Sequence, residues 1–214
     1  MSLLENAWET REEKVYPEIL GKPQAGIYTL PHELFSEKFK QDSIDPRWLH
    51  IGIFEIPPTS KRISWLYVSS GLSNPWDDQK DEFSGIGIEL VFETNNSGKW
   101  AISFLQNMVA YNILLAAGRF GEQYTILSEG DRVPLRSSID GSPDSAIQNA
   151  MVSAPDHFDK SFILESGQVD FLHFVGISDA ELAEAKKSSS DALLLKLKAA
   201  GAYPVTDPRR KSIL

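Results

Sequence analysis

Between Gly85 and Ala117 the chain changes its period once, and that change restricts the folds open to it. Over Gly85–Glu93, GIGIELVFE, Ile86, Ile88, Leu90 and Phe92 share one side while Glu89 and Glu93 lie on the other. A period of two is the signature of a strand. The turn residues Asn95-Asn96-Ser97-Gly98 follow. From about Lys99 to Ala117 apolar residues then recur at helical spacing, with Phe104, Met108, Tyr111 and Leu115 as the stripe and Gly118 as the stop. A strand followed at once by a long apolar helix buries the faces of both when the helix lies on the sheet.

The flanking segments extend this pattern. An imperfect apolar stripe over 2–20 (Leu3, Leu4, Ala7, Trp8, Val15, Ile19) predicts an N-terminal helix ended by Gly21 and Pro23. A short extended piece is expected at 26–31, and one or two helical turns at 32–39. Alternation from Trp48 to Phe54 predicts a strand ending at Pro57-Pro58, and Ile63–Ser69 predicts a central one, apolar on both faces. Residues 71–84 read as a loop, 124–127 as a short strand, and 142–161, polar and holding Pro143 and Pro155, as another loop. SFILE-SGQ-VDFLHFVGI over 161–177 reads as a hairpin. Ser178 and Glu181 form a capping box for one helix, Ser190-Asp191 opens a second, and a tail covers 203–214. No repeat or linker divides the chain. The expectation is one α+β domain over 1–214, with its core at about 26–200 and a mainly antiparallel sheet of about five to seven strands covered by helices.

Composition excludes several chemistries. The 214 residues include no cysteine, which removes disulfides, thiol nucleophiles and cysteine-held metal clusters. The four histidines, His32, His50, His157 and His173, show no metal-binding spacing, so neither a metal nor a cofactor is expected. With 21 basic and 30 acidic residues the formal charge is -9, which disfavours nucleic acid as a partner. No apolar run reaches the roughly 18 residues of a membrane span, and the charged N-terminus lacks the pattern of a signal peptide. A cytoplasmic protein without membrane contact is expected; the sequence leaves the oligomeric state open, with a monomer favoured.

Local motifs point to no reaction. Gly85-Ile86-Gly87 precedes a strand rather than a helix, so its glycines read as close-packing positions and not as a phosphate loop. Asp77, Asp78, Asp81 and Glu82 lack calcium-loop spacing. No GxSxG elbow is present, and His173, inside an apolar strand, reads as a packed residue. Charge is uneven: 122–170 holds nine acidic and three basic residues, whereas 186–211 holds seven basic and two acidic. Two solvated faces would explain this, as would an acidic surface that attracts a basic protein. Trp76 beside Asp77 and Asp78 is a candidate interface anchor.

Five strings occur in one order: WLYVSSGLS (65–73), GIGIELVFE (85–93), EGDRVPL (129–135), VDFLHFVGIS (169–178) and VTDPRRKSI (205–213). Together they resemble the Suppressor of fused domain family, over most of the chain from about Trp65 onward. The resemblance implies a mixed α/β fold and a non-enzymatic, protein-binding role. The animal member is a repressor that closes two domains around an extended peptide of its partner. This chain resembles the N-terminal domain alone, so half of that clamp is expected to be missing. Short stand-alone members look bacterial, and many are suspected immunity proteins that neutralise a toxin. A basic toxin or peptide segment is thus the expected partner.

The resemblance also implies site residues. Asp131, in Gly130-Asp131-Arg132-Val133, matches a peptide-contacting aspartate, and Tyr111 matches a tyrosine of the same groove. Asp131 also reads as a turn organiser and Tyr111 as a residue that packs the helix onto the sheet. A hydrolase-type enzyme with an unrecognised pocket and a self-associating structural domain remain the alternative readings.

Overall fold

The computed structural model describes all residues, 1–214. The N-terminal helix starts as α1 (Leu3–Trp8), widens into a π-helical stretch (Glu9–Val15) and ends as α2 (Tyr16–Ile19). Ser2 and Glu5 close a capping box at its start. The strands are β1 (Tyr28–Thr29), β2 (Gly52–Ile56), β3 (Trp65–Ser70) and β4 (Phe83–Thr94), then β5 (Arg132–Pro134), β6 (Ile147–Ser153), β7 (Ser161–Leu164) and β8 (Gly167–Ser178). The long helix α3 (Lys99–Ala116) separates the two groups, and α4 (Asp179–Lys187) and α5 (Ser190–Ala199) follow β8.

All eight strands form one sheet in the order β1-β2-β3-β4-β8-β6-β5, with β7 beside β8 off that path. Pairing is antiparallel except between β4 and β8. The α+β class and the mostly antiparallel sheet agree with the periodicity. The strand count includes β6, which lies inside the segment 142–161 read as loop.

Both faces of the sheet are covered. On one face α3 packs over Tyr67, Leu90, Phe92, Ala150 and Phe174 in the largest buried cluster. Phe104 of α3 meets Phe92 at 4.5 Å and Phe174 at 5.8 Å between ring centroids. On the other face the N-terminal helix covers Leu66, Val68, Val91, Val169 and Phe171, and α4 and α5 cover Met151, Val175 and Ile177. Each large aliphatic or aromatic side chain buried in these layers contributes roughly 1.5–3 kcal/mol.

Covering the second face requires burial of the carboxylates that β4 presents there. Glu89 and Glu93 are 0% and 1% exposed. Glu89 accepts from Gly71 N (2.9 Å), Ser73 N (3.1 Å) and Ser73 Oγ (2.6 Å), and from Ser69 Oγ, with Arg11 Nη1 at 3.7 Å. Glu93 lies four residues further along the same face of β4. It bonds His157 Nε2 at 2.6 Å and Ser64 Oγ, with His173 Nε2 at 3.7 Å. The C-terminal tail is clasped through Arg210, whose Nη1 donates to Glu181 at 2.6 Å.

Three segments differ from the expected secondary structure. Pro46–His50 is a 3-10 turn capped by Asp45, so β2 begins only at Gly52. Residues 124–127 are not a strand: Leu127 N donates to the Asn112 side chain of α3 (2.9 Å), and Ile126 and Leu127 pack on the main core. Segment 142–161 contains β6, whose Ala150 and Val152 face α3 while Met151 faces α4–α5. The two prolines lie outside the strand, and the buried Asn149 donates to Asp179 (2.8 Å). Gly85 (φ +60°) behaves as a packing glycine, because a Cβ there would meet the Leu72 carbonyl oxygen at 2.6 Å.

Candidate functional site

A groove of about 880 Å³ runs between α3 and the sheet edge at β5. One helical stripe of α3 forms a wall. Trp100, Phe104, Met108 and Tyr111 line the groove at spacings of four, four and three residues. Residues 132–141 form the opposite wall, and Phe120 closes one side by packing against Tyr111 at 5.3 Å between ring centroids. Phe120 is 37% exposed, so this aromatic pair borders solvent.

The edge beside the groove is unpaired. β5 ends the sheet, with β6 as its only neighbour. Val152 N donates to the Asp131 carbonyl (2.8 Å) and Leu135 N to the Gln148 carbonyl (3.0 Å). In an antiparallel ladder this alternation turns the Asp131 C=O, both backbone groups of Val133 and the Leu135 N–H toward β6, while the Asp131 N–H donates to the Ser128 carbonyl (3.1 Å). Arg132 N–H and C=O and the Pro134 C=O therefore face the open side. Pro134 lacks an N–H and suits an edge position.

Asp131 stands at the entrance to this edge. Its Oδ2 accepts from Ser128 N (2.8 Å) and Ser128 Oγ (3.2 Å), which organises the turn before β5. The Arg132 guanidinium donates to the Ala185 carbonyl of α4 (2.6 Å), tying the edge strand to the layer behind it. Tyr111 is half-buried in the groove wall, whereas Asp131 does not line the groove. Trp76 and Asp77 line a different cavity, where the β3–β4 loop meets the end of α3. The Asp78 side chain accepts from Leu3 N (2.7 Å) and holds the N-terminal helix. The five candidate residues thus do not form one site: Tyr111 lines the groove, Asp131 stands in the turn before β5, Trp76 and Asp77 line the second cavity, and the exposed Asp78 is engaged by Leu3 N.

Charge in the groove runs against a basic occupant: Lys38, Arg132 and Arg136 line it, with Asp140 as the counter-charge. Sequence reasoning missed the Trp100–Met108 wall because an apolar stripe on a helix reads as core. Phe104 and Met108 belong to the same stripe that covers the sheet, so no separate sequence signal marked the wall.

The histidines take structural places. His50 is exposed at the end of the 3-10 turn. His173 is 0% exposed, and burial lowers its pKa to about 4, so it is neutral. Burial also disfavours the charged form of His157. The hydrogen bond and charge of Glu93, with Asp156 beside it, outweigh that and raise its pKa. Neither His50 nor His173 lines the groove or the second cavity.

Comparison with known proteins returned one family model, described as Suppressor of fused protein, over residues 47–211. No curated protein matched. Among solved structures, Drosophila Suppressor of Fused is 25% identical with a TM-score of 0.61, over 76% of this chain and 42% of its own. The chain thus spans less than half the length of that relative. The Sufu–Fu complex structure is 24% identical with a TM-score of 0.68, over 99% of this chain and 92% of the other. A homolog from Neisseria gonorrhoeae is 15% identical with a TM-score of 0.64, over 99% and 97%. The last two, below 25% identity, show the shared fold.

Proposed function

The chain belongs to the Suppressor of fused family, and from that premise we propose that it binds a partner protein by adding an extended segment of it to the edge of β5. The observation that carries this reading is the unpaired β5 edge lying beside the apolar groove. Backbone bonds to Arg132 and Pro134 would supply affinity, and alternate side chains of the guest would enter between β5 and α3. Tyr111 and Phe120 offer aromatic contact, and the Asp131 carboxylate stands at one end to set register. A structure of the same fold, solved as a Sufu–Fu complex, supports a protein-binding reading. The role is non-enzymatic. Neutralisation of a toxin by a bacterial immunity protein is the biological setting we favour, because the chain is strongly acidic.

The test starts with co-expression of the chain and the products of neighbouring genes, scoring protection from toxicity and stable complex formation. Hydrogen exchange on the complex then reads the edge directly. The Arg132 amide, unpaired in the free chain, should exchange at least about tenfold more slowly when a guest strand accepts from it. Tyr111→Ala should weaken the complex while leaving the fold intact. A complex in which Arg132 exchange is unchanged refutes strand addition, and failure of every neighbouring product to bind refutes the immunity setting.

A further inference from the structure

The second cavity, about 490 Å³ and open to solvent, is built differently from the groove. Trp48, Trp76 and Phe83 line it, together with Asp77 and Asp81. These rings do not stack on one another; Trp48 leans on Phe35, with centroids 5.2 Å apart. Phe83 is 42% exposed. Within the acidic loop Asp78 is occupied by Leu3 N and Asp81 caps Glu82 N (2.7 Å), while Asp77 stays unpaired. One cation, Arg47, also lines the pocket, and its guanidinium is held by Asp45 at 2.6 Å.

A second observation marks the pocket as a receptor. Asn74 is 1% exposed and lines the cavity. Its Oδ1 accepts from Trp8 Nε1 and Arg11 Nη1, both at 3.0 Å, but its Nδ2 has no partner. A buried donor left without an acceptor is unfavourable unless something supplies one. Gly71, also in the cavity lining, approaches it closely: a Cβ there would lie 3.2 Å from Asn74 Nδ2 and 2.9 Å from Ile51 Cγ1. Gly71 sits at φ +126°, a conformation that other residues rarely adopt.

We propose that this pocket receives an arginine or lysine side chain from a basic segment of a protein partner. Aromatic faces attract a cation through their quadrupoles, and Asp77 and Asp81 supply the counter-charge. Asn74 Nδ2 donates to a carbonyl of the incoming segment. The Trp48 ring already shows the chemistry, since the Arg119 guanidinium lies 5.8 Å from its centroid. The overall charge of -9 draws basic segments toward the molecule. The proposal rests on the reading of the chain as a protein-binding module, but uses a surface apart from the β5 edge.

The test uses the full chain, isotope-labelled, and two blocked tripeptides: acetyl-Gly-Arg-Gly-amide and its neutral citrulline analogue. The arginine peptide should shift the indole N–H signals of Trp48 and Trp76 and the side-chain amide of Asn74, and the citrulline peptide should not. The double variant Asp77→Asn, Asp81→Asn should weaken binding about tenfold, and added salt should weaken it further. Equal shifts with citrulline, shifts elsewhere on the protein, undiminished binding by the double variant, or no shift at about 10 mM peptide would each overturn the proposal. Once a partner is in hand, the two readings separate. Unchanged affinity of the double variant removes only this pocket, whereas absent protection of the Arg132 amide removes only the strand-addition reading.

Discussion

Glu89→Gln tests how the loop carrying Trp76 and Asp77 is held. The carboxylate accepts from two backbone amides and two serine hydroxyls, and lies 3.7 Å from the buried Arg11. Glutamine keeps the shape and one acceptor oxygen but loses the charge. Hydrogen bonds to a charged group contribute about 1.5–3 kcal/mol each, against about 0.5–1.5 for neutral ones. Weakening three or four of them costs about 3 kcal/mol. Arg11 also loses its buried counter-ion and keeps only the partly exposed Glu12 at 3.3 Å. Breaking a buried pair from one side costs about 3–5 kcal/mol in total, and the two contributions overlap, so about 3–5 kcal/mol is the expected loss. Urea unfolding followed by tryptophan fluorescence measures it, with the slope unchanged. Amides of Gly71 and Ser73 should exchange faster than the global loss alone explains. A loss under about 1 kcal/mol, or unaltered exchange at those two amides, would refute the account of Glu89 as the anchor of this loop.

The pH profile offers a second test. His173 is neutral in the fold, with its pKa lowered from 6.5 to about 4 by burial, so the unfolded chain binds its proton first. Stability should therefore fall as pH drops from 6.5 to about 4, by about 3 kcal/mol at most. His173→Phe should flatten that limb in a urea series across pH. The raised pKa of His157 works the other way: its contribution is full below 6.5 and disappears as pH rises through the folded value. Leu105→Ala, at a fully buried position of α3, should cost about 2–5 kcal/mol in the same unfolding assay. Asp131→Asn keeps an acceptor for Ser128 N and should cost under about 1 kcal/mol by thermal melt while weakening partner binding in calorimetry. Equal losses in both would make Asp131 a turn residue only.

Local patterns carried far where the interactions that decide structure are local. The α3 stripe, the β4 alternation, the Ser178–Glu181 capping box and the 161–177 hairpin all lie where periodicity puts them. Strand β6 was not legible, because Gln148 and Asn149 interrupt its apolar pattern, and what makes Asn149 burial tolerable is Asp179, thirty residues on. Segment 124–127 misled for the opposite reason: its apolar residues pack as a strand's would, yet Asn112 takes the backbone bond that a neighbouring strand would have taken.

The sequence by itself determined the α+β class, the helix-on-sheet packing, the absence of cysteine chemistry and, through five ordered strings, the family. Those features depend on residues close in the chain or on composition. Only the tertiary structure decided that Tyr111 and Trp76 belong to separate sites, that Asp78 holds the N-terminal helix, and that Glu89 and Glu93 are buried. Each depends on partners distant in sequence, such as Asp78 with Leu3 or Glu93 with His157. A carboxylate on a strand reads as exposed until the chain supplies, from elsewhere, the donors that make its burial tolerable.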